Sequence, residues 1–320
     1  MRVAGIDIGT LTCRLLVAAV PPEAGGPIHT IRSERKILRL GEGVDRTGRL
    51  KPEAMSRVIE TIREWKTIIE SHGAERYTAV ATSAVREAGN REEFLDRVRR
   101  ETGVEVEVLD GEEEARRTFL GIRSGLQDVR EILGLDIGGG STEFIASWEG
   151  LPLKTTSIDM GVVRLTERVL QSDPPRAVEI QKAETLIRDL TRGARREIGD
   201  VTDLTLVGTA GTITSLAAIA QQLPTYDPAR IQNYVLKLPV IQRIERDVFG
   251  KTQSERVGIP GLEAGREEVI AAGALILRCV MEELDADRCI VSEYGLREGV
   301  LVNMAKNLME KNNADSRLSR

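Results

Sequence analysis

The chain is poor in the residues on which much enzyme chemistry depends. It has two histidines, His29 and His72, and three cysteines, Cys13, Cys279 and Cys289. Two histidines cannot build a histidine-rich metal centre. His29 lies beside a stretch rich in Pro and Gly, and His72 precedes the helix-ending Gly73. Neither is placed for a Ser-His-Asp triad. The cysteines form no CxxC pair and no even set, which reads as structural thiols in a reducing compartment. No apolar run approaches the roughly 20 residues that span a bilayer. The opening MRVAGIDIGT lacks the charged and apolar regions of a secretory signal, so a cytoplasmic protein without membrane association is expected. Basic residues are not in excess either. Against 50 acidic residues stand 45 basic ones, for a net charge of −5, which argues against nucleic acid as a partner. A small anion held in a local pocket is still compatible.

What is present suits a soluble protein of two domains: 320 residues, 41% hydrophobic and 30% charged. Any chemistry falls to carboxylates, hydroxyls, backbone N–H groups and a hard metal ion. Strands are expected at 2–8 and 15–20, with a turn or loop at 21–27. An amphipathic helix follows at 51–71, where Met55, Ile59, Ile62, Trp65 and Ile69 recur at helical steps. A strand at 77–81 leads to a polar loop at 82–89. Asn90 and Glu93 resemble a capping box opening the next helix. A strand at 104–109, a helix at 112–121 and a buried strand from 132 complete an α/β layered pattern. The second half continues with strand 144–148, helix 176–198, strand 204–207, loop 208–212 and a helix to 220. A loop-like 221–232, a buried helix 267–284, strand 289–292, a last helix from 295 and a frayed tail at 310–320 finish it. The basic stretch Arg35, Lys36 and Arg39 reads as a solvated face.

The second half echoes the first. Asp7-Ile8-Gly9-Thr10 recurs as Asp136-Ile137-Gly138-Gly139, each ending one strand and opening another. Gly138-Gly139-Gly140-Ser141-Thr142 lets backbone N–H groups converge on a phosphate, although a tight hairpin is the bland alternative. No GK[ST] follows it, so it is not a P-loop. Gly208-Thr209-Ala210-Gly211-Thr212 opens a helix, whose N-terminal dipole suits an anion. Thr10 and Thr12 belong to the weakest of the three loops. Asp136 and Glu143 bracket the triple-glycine loop. Carboxylates beside phosphate call for a cation between them, which points to Mg²⁺, with Asp7 contributing through water. Glu112-Glu113-Glu114 suits a helix N-terminus. Without a usable histidine, a carboxylate is also the obvious base for activating water. Arg86 lies at the carboxyl end of a strand, where α/β sheets place ligand groups.

Together these stretches resemble the exopolyphosphatase / guanosine pentaphosphate phosphohydrolase (Ppx/GppA) family of the actin-like ATPase superfamily. The matching segments run in family order: Gly5-Ile-Asp-Ile-Gly-Thr10; Ala81-Thr-Ser-Ala-Val-Arg86 with Asn90 and Phe94; Gly111-Glu-Glu-Glu-Ala-Arg116; Leu135-Asp-Ile-Gly-Gly-Gly-Ser-Thr-Glu143; Met160-Gly-Val-Val-Arg-Leu-Thr166 with Asp173-Pro-Pro175; Gly208–Thr212; and Gly295-Leu-Arg-Glu-Gly299. The resemblance implies two RNase-H-like α/β domains with mixed sheets flanked by helices and a cleft between them. Domain I would span 1–122 plus a C-terminal helix at about 300–320, and domain II 123–299. Glu114 would be the general base, and Arg86 a phosphate contact. Asp136 and Glu143 would position metal and water, and the three loops would bind phosphate. The substrate would be polyphosphate or guanosine penta- or tetraphosphate, and the resemblance allows a homodimer. Two departures stand out. Leu11 occupies a place where the family has Asn, and the helical C-terminal module of longer members is missing, which implies a weaker grip on very long chains. Two other readings are carried: a catalytically weak (p)ppGpp-binding sensor and an ATP-dependent small-molecule kinase.

Overall fold

The structure is a computed structural model and describes residues 1–20, 28–126 and 128–318, with side chains through 310. The turn expected at 21–27 and the last two residues of the expected tail lie outside the described residues. The chain divides into two compact units, Met1–Gly125 with Tyr294–Arg320, and Leu126–Glu293.

In the first unit, β1 (Arg2–Ile8), β2 (Thr12–Ala19) and β3 (His29–Ile37) form an antiparallel meander. The short α1 (Val44–Thr47) and the long α2 (Pro52–Ser71) lead to β4 (Arg76–Ala81). Then come α3 (Ser83–Glu87), α4 (Arg91–Thr102), β5 (Val106–Val108) and α5 (Gly111–Gly125). The sheet order is β3-β2-β1-β4-β5, with β4 and β5 parallel to β1. β1 is apolar on both faces because both are covered. Ala4, Ile6 and Ile8 meet Met55, Ile59, Ile62 and Trp65 of α2, while Val3 meets Leu301 and Ala305 of the last helix.

Three features depart from the pattern expected of this half. β3 is an edge strand, so charge on both faces hides its period. The 82–89 segment contains a helix, α3, which begins directly after β4. Asn90 does not cap α4. Its side chain accepts from Leu50 N at 2.8 Å and donates to Leu50 O at 3.1 Å, tying α4 to a distant turn.

The second unit repeats the plan. β6 (Ile132–Ile137), β7 (Thr142–Ser147) and β8 (Lys154–Ile158) form the meander. Helices α6 (Val162–Arg168) and α7 (Ala177–Ile198) precede β9 (Thr205–Thr209) and α8 (Ala210–Ala220). Then follow α9 (Pro228–Ile231), β10 (Val235–Lys237), α10 (Leu238–Phe249), α11 (Gln253–Arg256), α12 (Ile270–Glu283) and β11 (Arg288–Val291). The order β10-β11-β9-β6-β7-β8 is that of the first sheet with one antiparallel strand, β10, added at the edge. β8 and β10 escape sequence reading, the first because it is polar and the second because it is three residues long. Arg278 interrupts the otherwise apolar α12. It pairs with Glu245 at 2.6 Å and Glu282 at 2.9 Å, and also with Glu184, fastening α7, α10 and α12 together.

The last helix, α13 (Leu296–Leu318), returns to the first unit and runs through most of the segment expected to fray. It packs on α5 at glycines. A Cβ on Gly121 would lie 1.9 Å from Gly295 O, and one on Gly299 would lie 1.7 Å from Arg117 O. That close crossing fixes α5, which carries the candidate base. Among the described residues no helix is long and apolar enough to cross a membrane.

Candidate active site

In the first unit the chemistry gathers at the carboxyl ends of β4 and β5. Leu109 N donates to Ala81 O at 2.9 Å and extends that pairing to the start of α5. Asp110 Oδ1 then accepts from Glu113 N at 2.8 Å, as an N-cap would. The three glutamates of the first turn meet different surroundings. Glu112 is exposed. Glu113 binds Arg116 and Arg117, each at 2.6 Å. The Arg116 hydrogen bond, with Arg117 beside it, holds the Glu113 carboxyl down at about 2. Glu114 is 7% exposed and turns the other way. Its Oε2 accepts from Arg86 Nη1 at 2.9 Å, and the same nitrogen donates to Leu109 O at 2.9 Å. Arg86 and Glu114, 28 residues apart, are therefore brought together by α3 and α5.

The first loop is a tight hairpin, with Gly9 N donating to Thr12 O at 3.1 Å. Thr10 O accepts from Gly41 N at 2.8 Å, and Leu11 O accepts from Leu38 N at 3.0 Å and Arg39 N at 2.9 Å. The Leu11 side chain is buried, so it adds to the core what it removes from the loop's polarity. Asp7 lies opposite Arg14 of β2, and Arg14 lies opposite Arg35 of β3.

In the second unit Gly138 N donates to Ser141 O at 3.0 Å, the same turn as at Gly9. All three glycine carbonyls face the start of α6. Gly138 O accepts from Val162 N at 3.0 Å, Gly139 O from Val163 N at 2.9 Å, and Gly140 O from Arg164 Nε at 2.9 Å. Gly161 permits this approach, since a Cβ there would lie 2.3 Å from Gly139 O. Neither Gly139 nor Gly140 has an N–H acceptor among the described residues. These carbonyls are engaged on one side of the loop, which leaves the Gly139 and Gly140 N–H groups as its available donors.

One register row crosses four strands: Thr209 of β9, Asp136 of β6, Glu143 of β7 and Ser157 of β8. Residues directly opposite share a face, so the two buried carboxylates stand side by side. Ser157 Oγ donates to Glu143 Oε1 at 2.8 Å. Among the described residues no group of three or more His, Cys, Asp or Glu forms a metal cage.

The expected loop at 208–212 is not a loop. β9 runs to Thr209 and α8 starts at Ala210, which takes a left-handed φ of 69°. A strand thus passes straight into a helix through one strained residue. The Thr212 hydroxyl donates to Ile137 O at 3.0 Å, and that of Thr142 donates to Met160 O. The Thr212 hydroxyl ties α8 to β6, and the Thr142 hydroxyl ties β7 to the segment before α6. Against Gly211 lies the buried Arg266, whose Nη2 is 2.1 Å from where a Cβ would be. Arg266, held by Glu263 at 2.9 Å, had no sequence signal beyond its position before a buried helix.

The Ppx/GppA phosphatase family model matches residues 17–308. Exopolyphosphatase 2 of Mycobacterium tuberculosis is 36% identical over 317 residues, covering 95% of this chain and 98% of that protein. The crystal structure of the Aquifex aeolicus Ppx/GppA family member shares 35% identity with a TM-score of 0.80, over 96% of this chain and 98% of that one. An exopolyphosphatase structure from Cytophaga hutchinsonii shares 29% identity with a TM-score of 0.87, over 96% and 98%. With both halves of the chain covered and the glutamate and glycine motifs in place, this protein belongs to the Ppx/GppA phosphatase family.

Proposed function

We propose that the protein hydrolyses the terminal phosphoanhydride of inorganic polyphosphate, with Glu114 activating water. The observation that carries this reading is a buried carboxylate fixed by an arginine at the carboxyl edge of a sheet. The exopolyphosphatase relatives support the choice of substrate. Glu114 accepts a proton from water as its oxygen attacks the terminal phosphorus. The bond from that phosphorus to the bridging oxygen breaks, giving inorganic phosphate and a chain shorter by one. Arg86 orients Glu114 and sets positive charge beside the phosphoryl oxygens, and the Gly139 and Gly140 N–H groups are donors suited to phosphate oxygens.

Asp136 and Glu143 fit Mg²⁺. That ion keeps several waters and takes one or two carboxylates together with substrate oxygens, so a two-carboxylate shelf without a third acid suits it. When bound, Mg²⁺ supplies charge neutralisation to the phosphate oxygens. Asp7 would contribute through water. The 5′ γ-phosphate of pppGpp presents the same terminal anhydride and is the second substrate to assay. The burial of Leu11 and the two backbone bonds at its carbonyl keep the first loop in shape without a polar side chain, which favours an active enzyme over a silent sensor.

The test is phosphate release from short polyphosphate with Mg²⁺, wild type against Glu114→Gln. The variant is expected to lose about 100-fold or more in kcat, the scale of a general base, while still folding. Equal activity would sink the assignment.

A further inference from the structure

We propose that Arg164 is a positioning residue for the reaction: it turns the Gly140–Ser141 peptide so that Ser141 N–H joins those of Gly139 and Gly140 in one nest of donors for phosphate oxygens. This rests on the hydrolase reading above and deepens it, because Arg164 acts through the backbone rather than on substrate.

The peptides of the glycine loop are trans. In a trans peptide the C=O and the following N–H point in opposite directions. A carbonyl drawn towards α6 therefore turns the next N–H away from α6. The start of α6 draws the first two carbonyls. Val162 N donates to Gly138 O at 3.0 Å, and Gly139 O accepts from Val163 N at 2.9 Å and Arg164 N at 3.3 Å. These bonds orient the N–H groups of Gly139 and Gly140. The next backbone donor of the helix is already taken, since Leu165 N donates to Gly161 O at 2.9 Å. A side chain serves the third carbonyl instead. Arg164 Nε donates to Gly140 O at 2.9 Å, and that bond orients Ser141 N–H.

The donors so turned are unsatisfied within the chain. Gly140 and Ser141 are buried, yet neither N–H has an acceptor among the described residues. Buried backbone N–H groups are nearly always paired, so these point to an acceptor supplied from outside the chain. Successive N–H groups aimed at one place form an anion-binding concavity, which phosphate oxygens fit. The first unit needs no such arginine. There the position matching Gly140 is Leu11, whose carbonyl takes two backbone donors, Leu38 N and Arg39 N. Arg164 is only 8% exposed, and its Nη2 lies 4.0 Å from Asp159 Oδ1. Its Nε is thus the inner donor, and the outer end of the guanidinium carries the charge towards an exposed acid.

The experiment separates the donor from the charge. In Gln, as in Arg, a nitrogen donor is bonded to Cδ, so Arg164→Gln keeps the N–H at Gly140 O and removes the charge. Arg164→Lys keeps the charge and moves the nitrogen one bond further out. Arg164→Met keeps neither. Arg278→Met, which breaks the joint of α7, α10 and α12, controls for lost stability. kcat and KM are measured on tripolyphosphate, and NMR follows the amides of protein labelled at glycine and serine nitrogen during titration with inorganic phosphate in Mg²⁺. In the wild type, phosphate is expected to shift the Gly139, Gly140 and Ser141 amides. Arg164→Met should lose the Ser141 shift, keep that of Gly139 and lose about 100-fold in kcat, the scale of one preorganised oxyanion donor. Arg164→Gln should keep the Ser141 shift and most of the activity, and exceed Arg164→Lys in both. Arg278→Met should melt earlier and keep wild-type kcat below its transition. The proposal falls if Arg164→Lys outperforms Arg164→Gln, since charge would then be what matters. It falls equally if Arg164→Met retains the Ser141 shift, if Arg278→Met loses as much kcat, or if phosphate shifts none of the three amides in the wild type. The order of Arg164→Gln and Arg164→Lys decides the matter even where Arg164→Met fails to fold. Were the wild type to release no phosphate from any chain, the hydrolase reading would fall, and the amide shifts would still decide the role of Arg164.

Discussion

Three successive glutamates show how little a side chain's identity decides without its surroundings. Glu112 faces water, Glu113 is bound by two arginines, and Glu114 is buried against Arg86. Composition narrows the candidate base to a carboxylate, and the family resemblance points to Glu114. Spacing alone could not, because all three suit a helix N-terminus. The glycines were legible for a different reason: three in succession are costly unless backbone must come close. Arg266 was illegible, since a lone arginine before an apolar helix carries no period and no motif of its own. Asp136 and Glu143 carry a prediction at this scale. They lie opposite each other and are buried, and like charges so placed oppose folding. At neutral pH in EDTA, Asp136→Asn is expected to raise Tm by about 1–3 °C. It should also abolish the stabilisation by Mg²⁺ and phosphate release. Calorimetry with and without Mg²⁺ checks this; a lower Tm in EDTA would show that the pair is held by something other than a cation.

At the scale of elements, long amphipathic segments were read well and short or edge segments poorly. α2 was expected at 51–71 and spans Pro52–Ser71, because one face fills the core and repeats at helical steps. β3, β8 and β10 were missed because edge strands and three-residue strands need no apolar alternation. α5 is held in place by a network as well as by its glycine crossing with α13. Arg117 joins Glu113 to Glu107 of β5, and Arg116 reaches Asn303 of α13 at 2.8 Å. Since Glu113 is depressed from 4.5 to about 2 in the fold, its ionised form stabilises the native state. The sign follows from linkage. The contribution is complete above the unfolded pKa and disappears as pH falls through about 2. Wild type should therefore exceed Glu113→Gln in Tm at pH 6, with the gap closing steadily below pH 4.5. Thermal melts across that range test it, and a gap independent of pH would mean that packing, not charge, holds the turn.

Across the whole molecule, the four-residue echo proves to be the visible part of a repeated sheet. Both units use a meander followed by parallel strands, and both open with a hairpin closed by a Gly N–H to the carbonyl three residues on. The copies diverge where the chemistry does. The residue opposite Asp7 is Arg14, and the residue opposite Asp136 is Glu143, so one hairpin sets a cation beside its aspartate and the other a second carboxylate. Glu143 was legible beside the glycine loop, but its counterpart Arg14 was not, because the echo fades before it reaches that position. The scarcity of cysteine acquires a use at this scale. Cys13 belongs to the first unit, Cys279 and Cys289 to the second, and all three are free and buried. Burial pushes the Cys279 and Cys289 thiols up to about 12 and that of Cys13 higher still. Thiolate is the reactive form, so at pH 8 both access and ionisation protect every thiol in the folded chain. The native protein is expected to release no chromophore from a disulfide reagent on the timescale in which the urea-unfolded protein releases three equivalents. Because the thiols are divided between the units, partial denaturation reads each unit separately: one equivalent reports opening of the first, two equivalents opening of the second. A thiol that reacts rapidly in the native state would show that its unit opens locally, and mapping the labelled cysteine would say which.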